Sequence, residues 1–154
     1  MNKRNIIIGV TVVALAIAWY TFRPELLFVN LLGLKLAGES MNHGTEQEHL
    51  NNVAGARLRI SGLRAESGPG IEFLDYLTPK TGRPAPADTQ ANDLWHWQTT
   101  LSTTRAEMAV KKIGATRGRV VSPGVAEIPG KGLGFIKGFL ARDPDGHGLQ
   151  LIEK

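Results

Sequence analysis

Two short segments of this chain repeat one another. "GIEFLD" at residues 70 to 75 and "GLQLIE" at 148 to 153 match in residue type at every position, and at a similar offset Gly33 and Gly114 each close a stretch with helical spacing. A chain of 154 residues has room for one ordinary domain. A repeat over half that length therefore predicts two copies of one small supersecondary unit sharing a core.

Period and punctuation fill in the units. Pro24 to Leu32 reads as a helix stopped by Gly33, "LKLAGES" (34 to 40) as a strand, and "MNHGTEQEHLNN" as a polar loop or a turn of helix. "ARLRIS" (56 to 61) and "IEFLDYL" (71 to 77) alternate as strands around a Gly68-Pro69-Gly70 turn. Residues 78 to 93 are rich in proline and have no period, which predicts a surface linker. Beyond it, "LWHWQTTL" (94 to 101) reads as a strand, and Thr104 with Glu107 forms a capping-box pattern for a helix running to Ile113. "RVV" (119 to 121), "LGFIKGFLAR" (133 to 142) and "LQLIE" (149 to 153) read as the closing strands. "GKGLG" (130 to 134) lacks phosphate-loop spacing and reads as a hairpin arm or a flap. The expected class is α+β: a duplicated β-α-β-β-β unit whose sheets form one cupped surface. Unit one spans about 23 to 78, a linker 79 to 93, and unit two 94 to 154.

By this symmetry unit one needs a first strand near residues 10 to 18, and those residues carry a second signal. Lys3 and Arg4 precede an uncharged apolar run from Ile6 to Ala18 that ends on Trp19 and Tyr20, the layout of a secretory signal or membrane anchor. The run is short for a bilayer-spanning helix, and its β-branched residues also suit a buried strand. Residues 1 to 22 are thus either a signal or membrane anchor, placing the protein at a membrane or on its exported side, or a degenerate first strand of a cytoplasmic protein.

Composition excludes several classes. There is no cysteine, hence no disulfide framework, thiolate metal site or nucleophilic thiol. The net charge of +4 is scattered over Lys3/Arg4, Arg57/Arg59/Arg64, Lys111/Lys112 and Arg117/Arg119, without the basic, aromatic-rich block of a nucleic-acid surface. Hydrolase motifs of the G-x-S-x-G and H-E-x-x-H kinds are missing.

"RDPDGHGLQLIE", with "LLGLKLAGES", "GPGIEFLDYLTP" and "NDLWHW" in order before it, resembles the vicinal oxygen chelate (VOC) superfamily: glyoxalase I, bleomycin-resistance proteins, methylmalonyl-CoA epimerase and extradiol dioxygenases. The resemblance covers about residues 24 to 154. It implies paired βαβββ units around a cup and, in metal-dependent members, a divalent metal held by the first and last strands of each unit. Carried onto this chain, the ligands are Glu72, His96 and Gln150, with Glu72 as ligand or catalytic base. The fourth position falls near Val13 or Leu15, neither of which binds metal. Each of the three sits in an alternating apolar segment, where a polar side chain needs a partner. The implied metal is Fe, Mn, Ni or Zn, and the implied chemistry is lyase, isomerase or dioxygenase work on a small molecule with adjacent oxygens.

Tyr76, on the same strand face as Glu72, joins Trp95, Trp97 and His49 as candidate substrate contacts. The alternatives are a metal-free binding cup of the resistance type, in which Glu72 and Gln150 serve His96 by hydrogen bonds, and a membrane-tethered structural domain. A homodimer is a further partner that the resemblance implies. Arg57 and Arg59 read as a solvated face, His43 as a surface histidine. His147 follows the tight turn Asp143-Pro144-Asp145-Gly146 and reads as turn architecture.

Overall fold

A computed structural model describes residues 27 to 154. The apolar N-terminal run, with the signal, anchor or first-strand readings that rest on it, lies outside the described residues. Among those described, no helix is long and apolar enough to cross a membrane.

Unit one contributes a π-type helical turn, α1 (Leu27–Leu31), then β1 (Lys35–His43), the short helix α2 (Thr45–Asn51), β2 (Arg57–Arg64) and β3 (Ile71–Thr78). Its strands form an antiparallel sheet in the order β1-β2-β3. Unit two runs β4 (Gln98–Thr103), α3 (Ala106–Gly114), β5 (Arg119–Val120), β6 (Ala126–Glu127), β7 (Lys137–Arg142) and β8 (Gly148–Glu153). Its sheet order is β4-β8-β7-β5, with β6 also on β7 and β4 parallel to β8. This is the expected α+β architecture, with a complete β-α-β-β-β order in unit two.

Alternation in the sequence explains which side of each strand is covered. Leu149 and Leu151 of β8 and Phe139 and Ala141 of β7 point toward α3, where Ala106, Ala109 and Ile113 complete one buried cluster with Leu27 and Phe28 of α1. Each leucine so buried stabilises the fold by roughly 1.5 to 3 kcal/mol. The ring of Phe28 meets Phe73 of β3 edge-on at 4.8 Å, which ties the helical layer to unit one as well. The residues between these, Glu72, Tyr76, Gln150 and Ile152, face the opposite side of their strands.

Three local expectations are corrected. The segment "LWHW" is not part of β4, because His96 N–H donates to Asp93 O in a turn and the ladder with β8 starts only at Gln98 opposite Gly148. The Thr104/Glu107 capping box does not form. Glu107 instead pairs with Lys137 of β7 at 2.8 Å, and the first turn of α3 is capped from the C-terminal strand, where Glu153 Oε2 accepts from Ala106 N–H at 2.7 Å. Residues 133 to 142 are not one strand: a 3₁₀ turn (Lys131–Leu133) and Gly134 in the left-handed region precede β7.

Candidate functional site

The β7–β8 turn is braced by several hydrogen bonds to Asp143. Asp143 is buried, and its Oδ1 accepts from the N–H groups of Asp145 (3.0 Å) and His147 (2.9 Å), while Gly146 N–H donates to Asp143 O. Gly146 takes a positive φ of 95°, as the turn composition predicts, and a Cβ there would meet Ala85 of the linker at 2.7 Å. Gly148 is required for a different reason: a Cβ would lie 2.7 Å from Trp97 O, so only glycine lets β4 enter beside β8. Turn, linker and the entry to β4 are thereby packed into one assembly.

That assembly encloses a cleft. A cavity of about 1060 Å³ lies between the 79 to 93 linker, the Trp95-His96-Trp97 turn and the β7–β8 turn, with Tyr76 on its far wall. It adjoins a smaller cavity of about 500 Å³ that reaches Glu72 and Phe73, and Tyr76, Trp97 and His147 border both. Trp95 and Trp97 are 61 % and 66 % exposed, large apolar surfaces left facing solvent inside a concavity. The linker is held in place as a wall: Thr89 is buried, its Oγ1 donates to Pro86 O at 2.7 Å, and Trp95 Nε1–H donates to it at 3.4 Å.

Of the predicted site residues, Tyr76, Trp95, His96 and Trp97 line the larger cavity, and Glu72, Tyr76 and Trp97 the smaller. Gln150 and His49 line neither; His49 is exposed on α2. Glu72 also borders a hollow of about 710 Å³ beside Gly38 and Gly62 on unit one. Glu72, His96 and Gln150 share no cavity.

Two of the three predicted metal ligands already have hydrogen-bond partners. His96 Nδ1 stands 3.2 Å from Arg142 Nη2, and His96 Nε2 stands 3.3 Å from Gln98 Oε1. A guanidinium only donates, so Nδ1 is the acceptor and Nε2–H donates to Gln98, which leaves the imidazole no free lone pair. Gln150 Oε1 accepts from Thr100 Oγ1 at 3.0 Å across the parallel pair. Among the described residues no three His, Asp or Glu side chains come together as a metal site. Of the predicted ligands, His96 is the one whose hydrogen bonds leave no lone pair for a metal.

Three contributors to the site escape a reading of the sequence. Arg142 ends the apolar strand β7, where its charge looks like an ordinary strand terminus, yet it is buried on the cavity wall. His147 Nδ1 lies 2.8 Å from Asp143 Oδ2, and this hydrogen bond raises its pKa above the ordinary histidine value against the opposing effect of burial. The linker, which looks like a spacer, supplies a wall through Thr89. Only the charge of Arg142 beside an otherwise apolar strand could have been noticed beforehand.

No family model matches the chain, and no curated protein matches it in sequence. Solved structures do match. A glyoxalase family protein from Bacillus cereus superposes with a TM-score of 0.65 at 18 % identity, over 84 % of each chain. The protein SMU.1112c superposes with a TM-score of 0.51 at 21 % identity, over 83 % of this chain and 86 % of that one. At these identities the likeness is one of fold, and the chain has a glyoxalase-type fold.

Proposed function

We propose that this chain is a VOC-type small-molecule-binding domain that holds its ligand in the cleft between the linker and the β7–β8 turn, without a metal. The observation that carries this reading is the aromatic wall of exposed Trp95 and Trp97 with half-buried Tyr76 around a cavity of about 1060 Å³, in which His96 already has both ring nitrogens occupied. A metal-chelating lyase, isomerase or dioxygenase of the same superfamily would need His96 to exchange a present partner for the metal.

Two measurements on the purified full-length chain test the reading. Elemental analysis is expected to find Fe, Mn, Ni and Zn well below one per chain. A small-molecule library followed by tryptophan fluorescence is expected to yield ligands that raise the melting temperature and whose binding is lost in Trp97→Ala. Stoichiometric metal that disappears in His96→Ala would overturn the proposal in favour of the chelating enzyme. We also take residues 1 to 22 as a signal or anchor, which cell fractionation tests: full-length protein in the soluble cytoplasm contradicts it.

A further inference from the structure

Arg142 is the one buried cationic side chain among the described residues, 7 % exposed on the wall of the larger cavity. Its partners are all neutral: Nη1 donates to Gly146 O at 2.8 Å, and Nη2 to Thr89 O at 3.4 Å and to His96 Nδ1 at 3.2 Å. Its Nε–H is buried and meets no acceptor.

No carboxylate hydrogen-bonds this guanidinium. Asp143, next in the chain, spends Oδ1 on two backbone N–H groups and Oδ2 on His147. Asp75, also on the wall, is paired with Arg59 at 3.1 Å. Arg83 and Arg119 add positive charge to the same cleft. A buried guanidinium held only by neutral acceptors, with its Nε–H unmet, is costly in the free protein, and that cost is relieved when an anion pairs with it directly.

We propose that the cleft selects aromatic carboxylates. The carboxylate pairs with Arg142, replacing its long contact to Thr89 O, while the ring lies against Trp97 and Trp95. This assignment of ligand class rests on the small-molecule-binding reading given above.

A matched pair of probes separates the two claims. Calorimetric titration of the full-length wild-type chain with 2-naphthoate and with 2-naphthamide compares one ring with and without the charge. The naphthoate is expected to bind on the order of 10- to 100-fold tighter, the range of a charge-assisted hydrogen bond. In Arg142→Gln the preference is expected to vanish, and in Lys112→Gln, on the exposed face of α3 away from the cleft, to persist, with circular dichroism confirming the fold of each. Should Arg142→Gln not fold, the wild-type ratio alone decides whether the cleft selects anions. Equal affinity of the two probes overturns the anion assignment and leaves small-molecule binding standing. A preference that survives in folded Arg142→Gln removes Arg142 from the site. If neither probe binds and no neutral library member binds either, both proposals fall.

Discussion

β3 and β8 carry the same pattern of residue types, yet they live in different surroundings. β8 is paired on both edges, to β4 and to β7, and its Leu149 and Leu151 are 1 % and 2 % exposed beneath α3. β3 pairs only with β2 among the described residues, its Ile71 and Phe73 are half-buried, and Leu74 is 44 % exposed. The polar twins diverge as well: Gln150 is tied to Thr100 on the neighbouring strand, whereas Glu72 borders open cavities. Alternation decides which face a side chain takes, and the neighbouring elements decide how much that face is worth.

Mutations at paired positions of the two strands test this asymmetry. The largest effect is expected from Leu149→Ala, at about 2 to 5 kcal/mol by denaturant unfolding, with Ile71→Ala at the twin position costing about half as much or less. Equal losses would mean that β3 is as well covered as β8. Next comes the polar pair: Gln150→Ala is expected to cost roughly 0.5 to 1.5 kcal/mol through its lost hydrogen bond to Thr100, while Glu72→Ala stays within about 0.5 kcal/mol. A Glu72→Ala loss larger than that of Gln150→Ala would reverse the ranking of the two sites.

The smallest effect belongs to the turns. The β7–β8 turn holds an Asp143–His147 pair, while the β2–β3 turn is built on Gly68, Pro69 and Gly70. The hydrogen bond to Asp143 keeps His147 protonated in the folded state above its ordinary pKa of 6.5. Its contribution to stability is therefore fully present below that value and fades as pH rises through the higher folded value. The ring is about half exposed, so the expected signature is a shallow fall in melting temperature as pH rises above 6.5. Asp143→Asn is expected to flatten it, and an unchanged slope would assign the pH dependence to another group.

The fold was legible because its signals are local. Period-2 runs placed β2, β3 and β8, Gly33 ended α1 with a positive φ of 78°, and the Asp-Pro-Asp-Gly composition foretold the turn before β8. The site was less so. Tyr76, Trp95, His96 and Trp97 were singled out and do meet around one cavity. Gln150, which the family resemblance offered as a metal ligand, hydrogen-bonds to Thr100 across its own sheet. His96 read as a mid-strand residue, because the apolar character of Leu94 to Trp97 does not reveal that β8 offers no ladder partner before Gly148.

By itself, then, the sequence determined the duplicated strand pattern, the faces of those strands and the turn chemistry, all of which depend on neighbours a few residues apart. Only the tertiary structure decided that α3 is capped by Glu153, that a proline-rich linker becomes a cavity wall, and that Arg142 is buried there with neutral partners alone. Each of these joins residues far apart in the chain, and whether a charge finds water, a carboxylate or a carbonyl depends on what folds over it.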